Sequence, residues 1–117
     1  MQQYTGGCHC GKVRYTVEAD IESVIACNCS HCAMKGLLLT FVPKERFVLE
    51  SGEELLTEYR FSKKVLAHLF CSVCGVQAFS YGQNQEGHET VAINVRSIDD
   101  IDLEKIVQAP FDGKNLM

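Results

Sequence analysis

The cysteines constrain this chain more than any other residue type. Seven of them occur among 117 residues, and they fall into three groups along the sequence. The groups are Cys8 with Cys10, then Cys27, Cys29 and Cys32, and last Cys71 with Cys74. Four thiolates are a common ligand set for a structural zinc ion. The simplest division is therefore four plus three, in which the two outer pairs close one structural zinc site and the central triplet stays open.

The two outer pairs are far apart in sequence, so a shared metal would join the start of the chain to its middle. Cys71 and Cys74 have the spacing of a zinc knuckle, and Gly75 directly after them tolerates the positive φ that tight turns often need. Closing so long a loop costs several kcal/mol of chain entropy, which metal binding would offset. The alternative for Cys8, Cys10, Cys71 and Cys74 is a set of buried or adventitious thiols.

The central triplet packs three thiols into six residues, Cys27 to Cys32. In a strand, Cys27 and Cys29 would face the same side, and the C-x-x-C spacing would let a turn bring Cys32 to them. Three protein ligands with one vacant position are typical of a catalytic zinc. The alternatives are a redox-active dithiol of Cys29 and Cys32, a second closed site with His31 or a distant histidine, and inert thiols.

Three further side chains near these groups need an interpretation. Lys35 closely follows the triplet and is a candidate substrate-binding residue for an anionic ligand, although a solvated lysine is the alternative. His31 is expected to bond to a sulfur or to solvent. His68 alternates with Leu66 and Phe70, which predicts a buried strand histidine. None of the histidines is predicted to be a catalytic base.

Composition and charge narrow the class of protein. The net charge of -4 and the scattered lysines and arginines disfavour a nucleic-acid partner. The first residues lack the basic and apolar regions of a secretory signal, and no apolar run reaches the roughly 20 residues that span a membrane. We therefore expect a cytoplasmic protein without a membrane partner. Thiols stay reduced in that compartment, which favours metal ligands over disulfides.

Alternating apolar residues and turn signals predict one mainly β domain of about eight short strands. The predicted strands are Lys12–Glu18, Ser23–Ala26, Leu37–Val42, Phe47–Glu50, Leu55–Phe61, Val65–Phe70, Val76–Tyr81 and Val91–Val95. A single helical turn is expected at 43–46, where proline suits a first helical position. The residues 33–36 after the triplet are expected to form a loop or a single turn.

Three blocks of this sequence resemble the motifs of one family. They are Gly7-Cys8-His9-Cys10-Gly11-Lys12-Val13-Arg14-Tyr15, Cys27-Asn28-Cys29-Ser30-His31-Cys32 and Phe70-Cys71-Ser72-Val73-Cys74-Gly75. The pattern is similar to that of the glutathione-dependent formaldehyde-activating enzymes, whose domain also occurs in centromere protein V. The downstream segments 91–95 and 98–100 fit the family's last strand and turn. The resemblance spans residues 4–112.

The resemblance implies an Mss4-like, zinc-stabilised fold of antiparallel sheets in one domain. It implies a structural zinc on Cys8, Cys10, Cys71 and Cys74, and a catalytic zinc on Cys27, Cys29 and Cys32. It also implies a carbon–sulfur lyase-type activity, the formation and breakdown of S-hydroxymethylglutathione. Independently, three thiolates make a zinc site anionic, which suits a thiol ligand better than the generation of hydroxide. The alternative function is a non-enzymatic zinc-binding interaction module on the same fold.

Overall fold

The computed structural model describes residues 2–21, 23–27, 30–60, 67–83 and 86–111. Within these ranges the chain forms ten strands and one short α-helix. The elements in order are β1 (Gln2–Gly7), β2 (Arg14–Ala19), β3 (Ser23–Cys27), α1 (Ser30–Lys35), β4 (Leu39–Pro43), β5 (Phe47–Ser51), β6 (Leu56–Tyr59), β7 (Ala67–Cys71), β8 (Phe79–Gln83), β9 (Glu89–Asn94) and β10 (Val107–Phe111). Short 3₁₀ turns lie at Lys44–Arg46, Glu53–Leu55, Val95–Ser97 and Leu103–Lys105.

The strands form two sheets. The smaller sheet has the order β1-β2-β5, and the larger one has the order β10-β3-β4-β9-β8-β7-β6. Every pair of neighbours is antiparallel except β10 and β3, which are parallel. The protein is therefore mainly β with antiparallel sheets, consistent with the Mss4-like fold that the resemblance implies.

The hydrophobic core lies between the two sheets. Tyr15 of β2 and Phe47 of β5 face Phe79 of β8, with ring centroids 6.2 and 4.8 Å from that of Phe79. The alternating pattern of β2 places Tyr15 and Val17 in this core and turns Glu18 to solvent. In contrast, β9 lies in the interior of the larger sheet, and the run 91–94 is buried on both faces.

The predicted strands and the observed ones agree in most of the chain. The helical turn predicted at 43–46 is the 3₁₀ turn Lys44–Arg46. The consecutive strands predicted at Leu55–Phe61 and Val65–Phe70, which the intervening residues 62–64 were expected to join as a hairpin, correspond to β6 and β7, and these pair in antiparallel register. The predicted turn at 62–64 lies outside the described residues. The strand predicted from Val76 begins later, at Phe79.

The main differences concern three elements. No strand was predicted for β1 or for β10, which raises the described count from the expected eight to ten. The loop or turn expected at 33–36 is instead the end of α1. Gly36, with φ of 66°, ends this helix, and the Leu37 N–H donates to the Cys32 carbonyl at 3.2 Å. Within the described parts of the chain, no helix has the length and apolar character that a membrane-spanning helix requires.

Candidate functional site

The first cysteine pair lies in a tight turn between β1 and β2. The Cys8 N–H donates to the Val13 carbonyl at 3.1 Å, and the Gly11 N–H donates to the Cys8 carbonyl at 3.2 Å. Gly11 has φ of 81°, a conformation that L side chains rarely adopt. These bonds fold Cys10 back toward Cys8, so that their sulfurs lie 3.5 Å apart.

The second pair repeats this geometry at the end of β7. The Cys71 N–H donates to the Val76 carbonyl at 3.1 Å, and the Gly75 N–H donates to the Cys71 carbonyl at 2.7 Å. Gly75 also has φ of 81°, as its position after the knuckle predicts. Both pairs thus sit in similar turns, each with a glycine directly after its second cysteine.

The fold brings the two turns together. The sulfurs of Cys8, Cys10, Cys71 and Cys74 all lie within 4.8 Å of one another. A tetrahedral zinc with bonds of about 2.3 Å to sulfur would separate its ligands by about 3.8 Å, close to the 3.7 Å between Cys10 and Cys71. The cluster could therefore hold one metal ion. None of the five cysteines whose side chains are described forms a disulfide.

Backbone N–H groups around the cluster favour thiolates. The N–H groups of Val76 and Cys10 lower the pKa of the Cys74 thiol to about 6. For Cys10 the Lys12 N–H lowers the pKa, but burial and the neighbouring sulfurs outweigh it and raise the pKa to about 11. Four sulfurs this close cannot all ionise easily without a cation, which is the electrostatic condition under which a divalent metal binds.

Two of the sulfurs also accept backbone hydrogen bonds that the sequence did not reveal. The Val13 N–H lies 3.4 Å from the Cys8 sulfur, and the Val73 N–H lies 3.4 Å from the Cys71 sulfur. Such bonds orient metal ligands and stabilise their charge. They depend on turn geometry and not on side-chain type, so residue identity gave no signal for them.

The central triplet is described only in part. Cys27 ends β3, and nothing is described of its side chain, while Cys29 lies outside the described residues. Cys32 is on α1, where it is buried in a small apolar cluster with Leu37, Leu39 and Ala92. The predicted ligand set of Cys27, Cys29 and Cys32 therefore stays a prediction.

Next to α1 lies a cavity of about 430 Å³. Its lining residues are His31, Met34, Lys35, Tyr59, Phe70 and Gly75. Three of the six come from α1 at the spacing i, i+3 and i+4, which places them on one helix face. The sequence predicted Lys35 as a candidate site residue. It missed Met34 of the same helix and also Tyr59, Phe70 and Gly75, which come from distant strands and from the turn after Cys74.

A polar network lies beneath this cavity. The Lys35 ammonium donates to the Gln77 side-chain carbonyl at 2.8 Å, and the Gln77 amide nitrogen donates to the Ser80 hydroxyl at 2.8 Å. The Ser80 hydroxyl oxygen and the Gln77 amide nitrogen both lie 3.3 Å from Nδ1 of His68. Gln77 is buried, so this network fixes its side chain.

The rings of the two histidines near the cavity contact each other, with their planes tilted by 39°. The ring centroids of His31 and His68 are 4.1 Å apart, and the Tyr59 ring stacks on His31 at 5.6 Å. His68 is the buried strand histidine that the alternation predicts. Burial, assisted by His31 and Lys35, lowers the pKa of His68 to about 4, so this ring is neutral near pH 7.

Comparisons with known proteins agree with the motif resemblance. The sequence model of the family described as "Glutathione-dependent formaldehyde-activating enzyme" matches residues 3–110. The chain is also similar to a crystal structure of a Rhodobacter sphaeroides protein determined in a structural genomics programme, with a TM-score of 0.77 and 26% identity over 90% of this chain and 99% of that one. The chain belongs to the glutathione-dependent formaldehyde-activating enzyme family.

Proposed function

We propose that this protein is a zinc-dependent carbon–sulfur lyase-type enzyme that acts on a thiol–aldehyde adduct, in one domain formed by residues 4–112. A structural zinc is held by Cys8, Cys10, Cys71 and Cys74. A catalytic zinc is held by Cys27, Cys29 and Cys32, with one position open for the substrate thiol. Glutathione is the first candidate thiol, and the cytoplasm, where thiols stay reduced, is the compartment.

The observation that carries the proposal is the convergence of the outer four cysteines. Their sulfurs lie within 4.8 Å of one another, so the four cysteines could supply all the ligands of a tetrahedral metal site. This set leaves the central triplet for a second metal in a chain of this family. Zinc bound there would supply the acidity that converts a coordinated thiol into a thiolate.

The reaction needs no oxidant or reductant. In the forward direction a thiol adds to an aldehyde, so that one carbon–sulfur bond forms, the carbonyl becomes a hydroxyl, and the thiol proton moves to the oxygen. The reverse, lyase direction breaks the same carbon–sulfur bond and returns the proton. His68, neutral and engaged with Ser80 and Gln77, is not proposed to carry this proton.

The test is a rate measurement on zinc-loaded protein. Exchange between free and adduct-bound formaldehyde, with glutathione as the thiol, is followed by nuclear magnetic resonance because the adduct also forms spontaneously. We expect the wild-type protein to accelerate exchange, and Cys29→Ser to fold normally but lose the acceleration. Ser72→Ala, an exposed change in the second knuckle, is the control that keeps it. Equal rates with wild type and Cys29→Ser across several thiol–aldehyde pairs would instead support the interaction module.

A further inference from the structure

The cavity beside α1 has a chemistry that differs from what glutathione requires. Its walls include the rings of Tyr59 and Phe70, the imidazole of His31 and the thioether of Met34. Apart from the His31 imidazole nitrogens and the tyrosine hydroxyl, these walls offer mostly apolar or flat surfaces. Such surfaces favour a flat, apolar ligand because ring faces stack and Met adapts to the ligand's shape.

The lining of this cavity includes one lysine, Lys35, which supplies a positive charge. The Lys35 ammonium lies 5.0 Å from the centroid of the Phe70 ring and donates to the Gln77 side-chain carbonyl. An ammonium has three N–H donors, so Lys35 can still donate to a ligand oxygen. Among the described residues, no ion pair includes Lys35, and none of the six lining residues carries a carboxylate.

Because the Lys35 ammonium is held in place, it favours ligands whose carboxylate can reach that position. Gln77 is buried and bonded to Ser80 and His68, so its carbonyl is a rigid acceptor for the lysine. The ring of Phe70 restricts the movement of the Lys35 ammonium on another side. A preorganised cation loses less entropy when it binds an anion than a freely rotating lysine does.

We infer that the cavity binds an aromatic group bearing a single carboxylate, with the ring against Tyr59 and Phe70 and the carboxylate on Lys35. If the proposed function is correct, on which this role rests, the bound group is the part of the adduct that is attached to the reacting sulfur. Glutathione fits less well because it carries two carboxylates and an ammonium. The lining offers one cation for the two carboxylates and no carboxylate to pair with that ammonium.

The position of Cys32 agrees with this role. The lining residues of α1 occupy one face of the helix, and Cys32 follows His31 by one residue, about 100° around the helix axis. Cys32, the member of the predicted triplet whose side chain is described, therefore lies on α1 without being one of the residues that line the cavity. A ligand bound in the cavity would contact the same short helix that carries Cys32.

The experiment measures binding and not turnover. The probe is (phenylthio)acetate, a thioether that has no thiol proton and cannot be a substrate. Its neutral amide, its amine analogue 2-(phenylthio)ethylamine and glutathione are the comparison ligands. Binding is measured by calorimetry, and by resonance shifts of residues 31, 35, 59 and 70, on zinc-loaded protein.

We expect the carboxylate to bind about fivefold more tightly than the amide, the amine to bind more weakly than both, and glutathione to bind more weakly than the carboxylate. Lys35→Met should abolish the preference for the carboxylate and retain the amide, because it removes the charge and keeps an apolar stem. Phe70→Leu should weaken all three aryl probes.

Lys44→Met is the matched control. Lys44 is also a lysine near a ring, 5.6 Å from the centroid of Tyr81, but it pairs with Glu89 and does not line the cavity. This variant should keep the wild-type preference. Equal affinity for carboxylate and amide in the wild type would overturn the inference, and so would tighter binding of glutathione at residues 31, 35, 59 and 70.

The outcomes for cavity and reaction are separable. If the aryl probe fails to bind while glutathione exchange is accelerated, the cavity inference fails and the proposed function stands. If the probe binds with the expected charge preference but no thiol–aldehyde pair is turned over, the proposed function fails and the ligand site stands.

Discussion

The sulfurs of Cys10 and Cys71 lie 3.7 Å apart, although 61 positions separate them in the sequence. Cys10 belongs to the turn that leaves β1, and Cys71 ends β7 of the other sheet. A metal ion shared by the turn of Cys8 and Cys10 and the turn of Cys71 and Cys74 would therefore join the two sheets directly. If it binds a metal, this long-range contact would make the four-cysteine cluster a determinant of the fold.

Loss of one cysteine from this cluster should destabilise the whole protein. Cys71 is fully buried, and Cys71→Ser would remove one thiolate from a tetrahedral set. We expect a loss of several kcal/mol in the free energy of unfolding, seen as a loss of soluble protein. Soluble yield and urea unfolding are the measurements.

The control for this prediction is Ser72→Ala in the same turn. Ser72 is exposed, so its replacement should change the free energy of unfolding by less than about 0.5 kcal/mol. A wild-type unfolding midpoint for Cys71→Ser would mean that the outer cysteines do not hold a structural metal.

The first knuckle, the turn that carries Cys8 and Cys10, also depends on a glycine. A Cβ on Gly7 would overlap the carbonyl oxygen of Val13, the group that accepts the Cys8 N–H. Gly7→Ala should therefore displace Cys8, lower stability by about 1–3 kcal/mol and speed the loss of metal to a chelator. Chelator competition followed by absorbance is the measurement.

Gly11→Ala is the matched control within the same turn. A Cβ there would meet no atom within 4 Å, so only the strain of its positive φ remains, about 1 kcal/mol. We expect Gly7→Ala to release metal faster than Gly11→Ala. The reverse order would show that backbone conformation, and not the close approach to Val13, limits the knuckle.

The buried His68 predicts a specific dependence of stability on pH. Its pKa is about 4 in the folded protein and 6.5 in the absence of such burial, so between these values the unfolded chain binds more protons. The contribution of His68 to the free energy of unfolding is nearly constant above about pH 6.5. It decreases as the pH falls from 6.5 toward 4. At pH 5 the loss attributable to His68 is about 2 kcal/mol.

His68→Gln should remove this part of the pH dependence, while its amide can still bond to Ser80. The free energy of unfolding is compared at pH 7 and pH 5 for the wild type, His68→Gln and the exposed control His88→Gln. We expect a smaller difference between the two pH values in His68→Gln only. An identical difference in all three proteins would contradict a buried, neutral His68.

The sequence predicted that the two outer cysteine pairs converge because each pair lies in a recognisable local motif. Each knuckle is a short motif with a glycine after the second cysteine, and a four-cysteine ligand set requires the two motifs to meet. Most strands were also predicted, since alternation in β2 reflects one buried face. Alternation of Val91 and Ile93 with Ala92 and Asn94 also predicted β9, but it did not show that both faces of this strand are buried.

What the sequence did not predict is non-local. The parallel pairing of β10 with β3 depends on how the chain returns after the 3₁₀ turn Leu103–Lys105, for which no short-range pattern exists. The cavity brings residues of α1 together with Tyr59 of β6 and Phe70 of β7, the last two strands in the order of the larger sheet. The spacing of His31, Met34 and Lys35 was the available signal for a helix face, but six residues are too few for periodicity to be decisive.

The central claim is that the seven cysteines divide into a closed set of four and an open set of three. Its most direct test is the zinc content of protein purified without chelator, together with titration of reactive thiols, in the wild type and in the variant with Cys27, Cys29 and Cys32 all replaced by Ser. We expect about two zinc ions per wild-type chain and about one in the variant, which stays folded. About one zinc per wild-type chain, with three thiols that titrate freely, would contradict it.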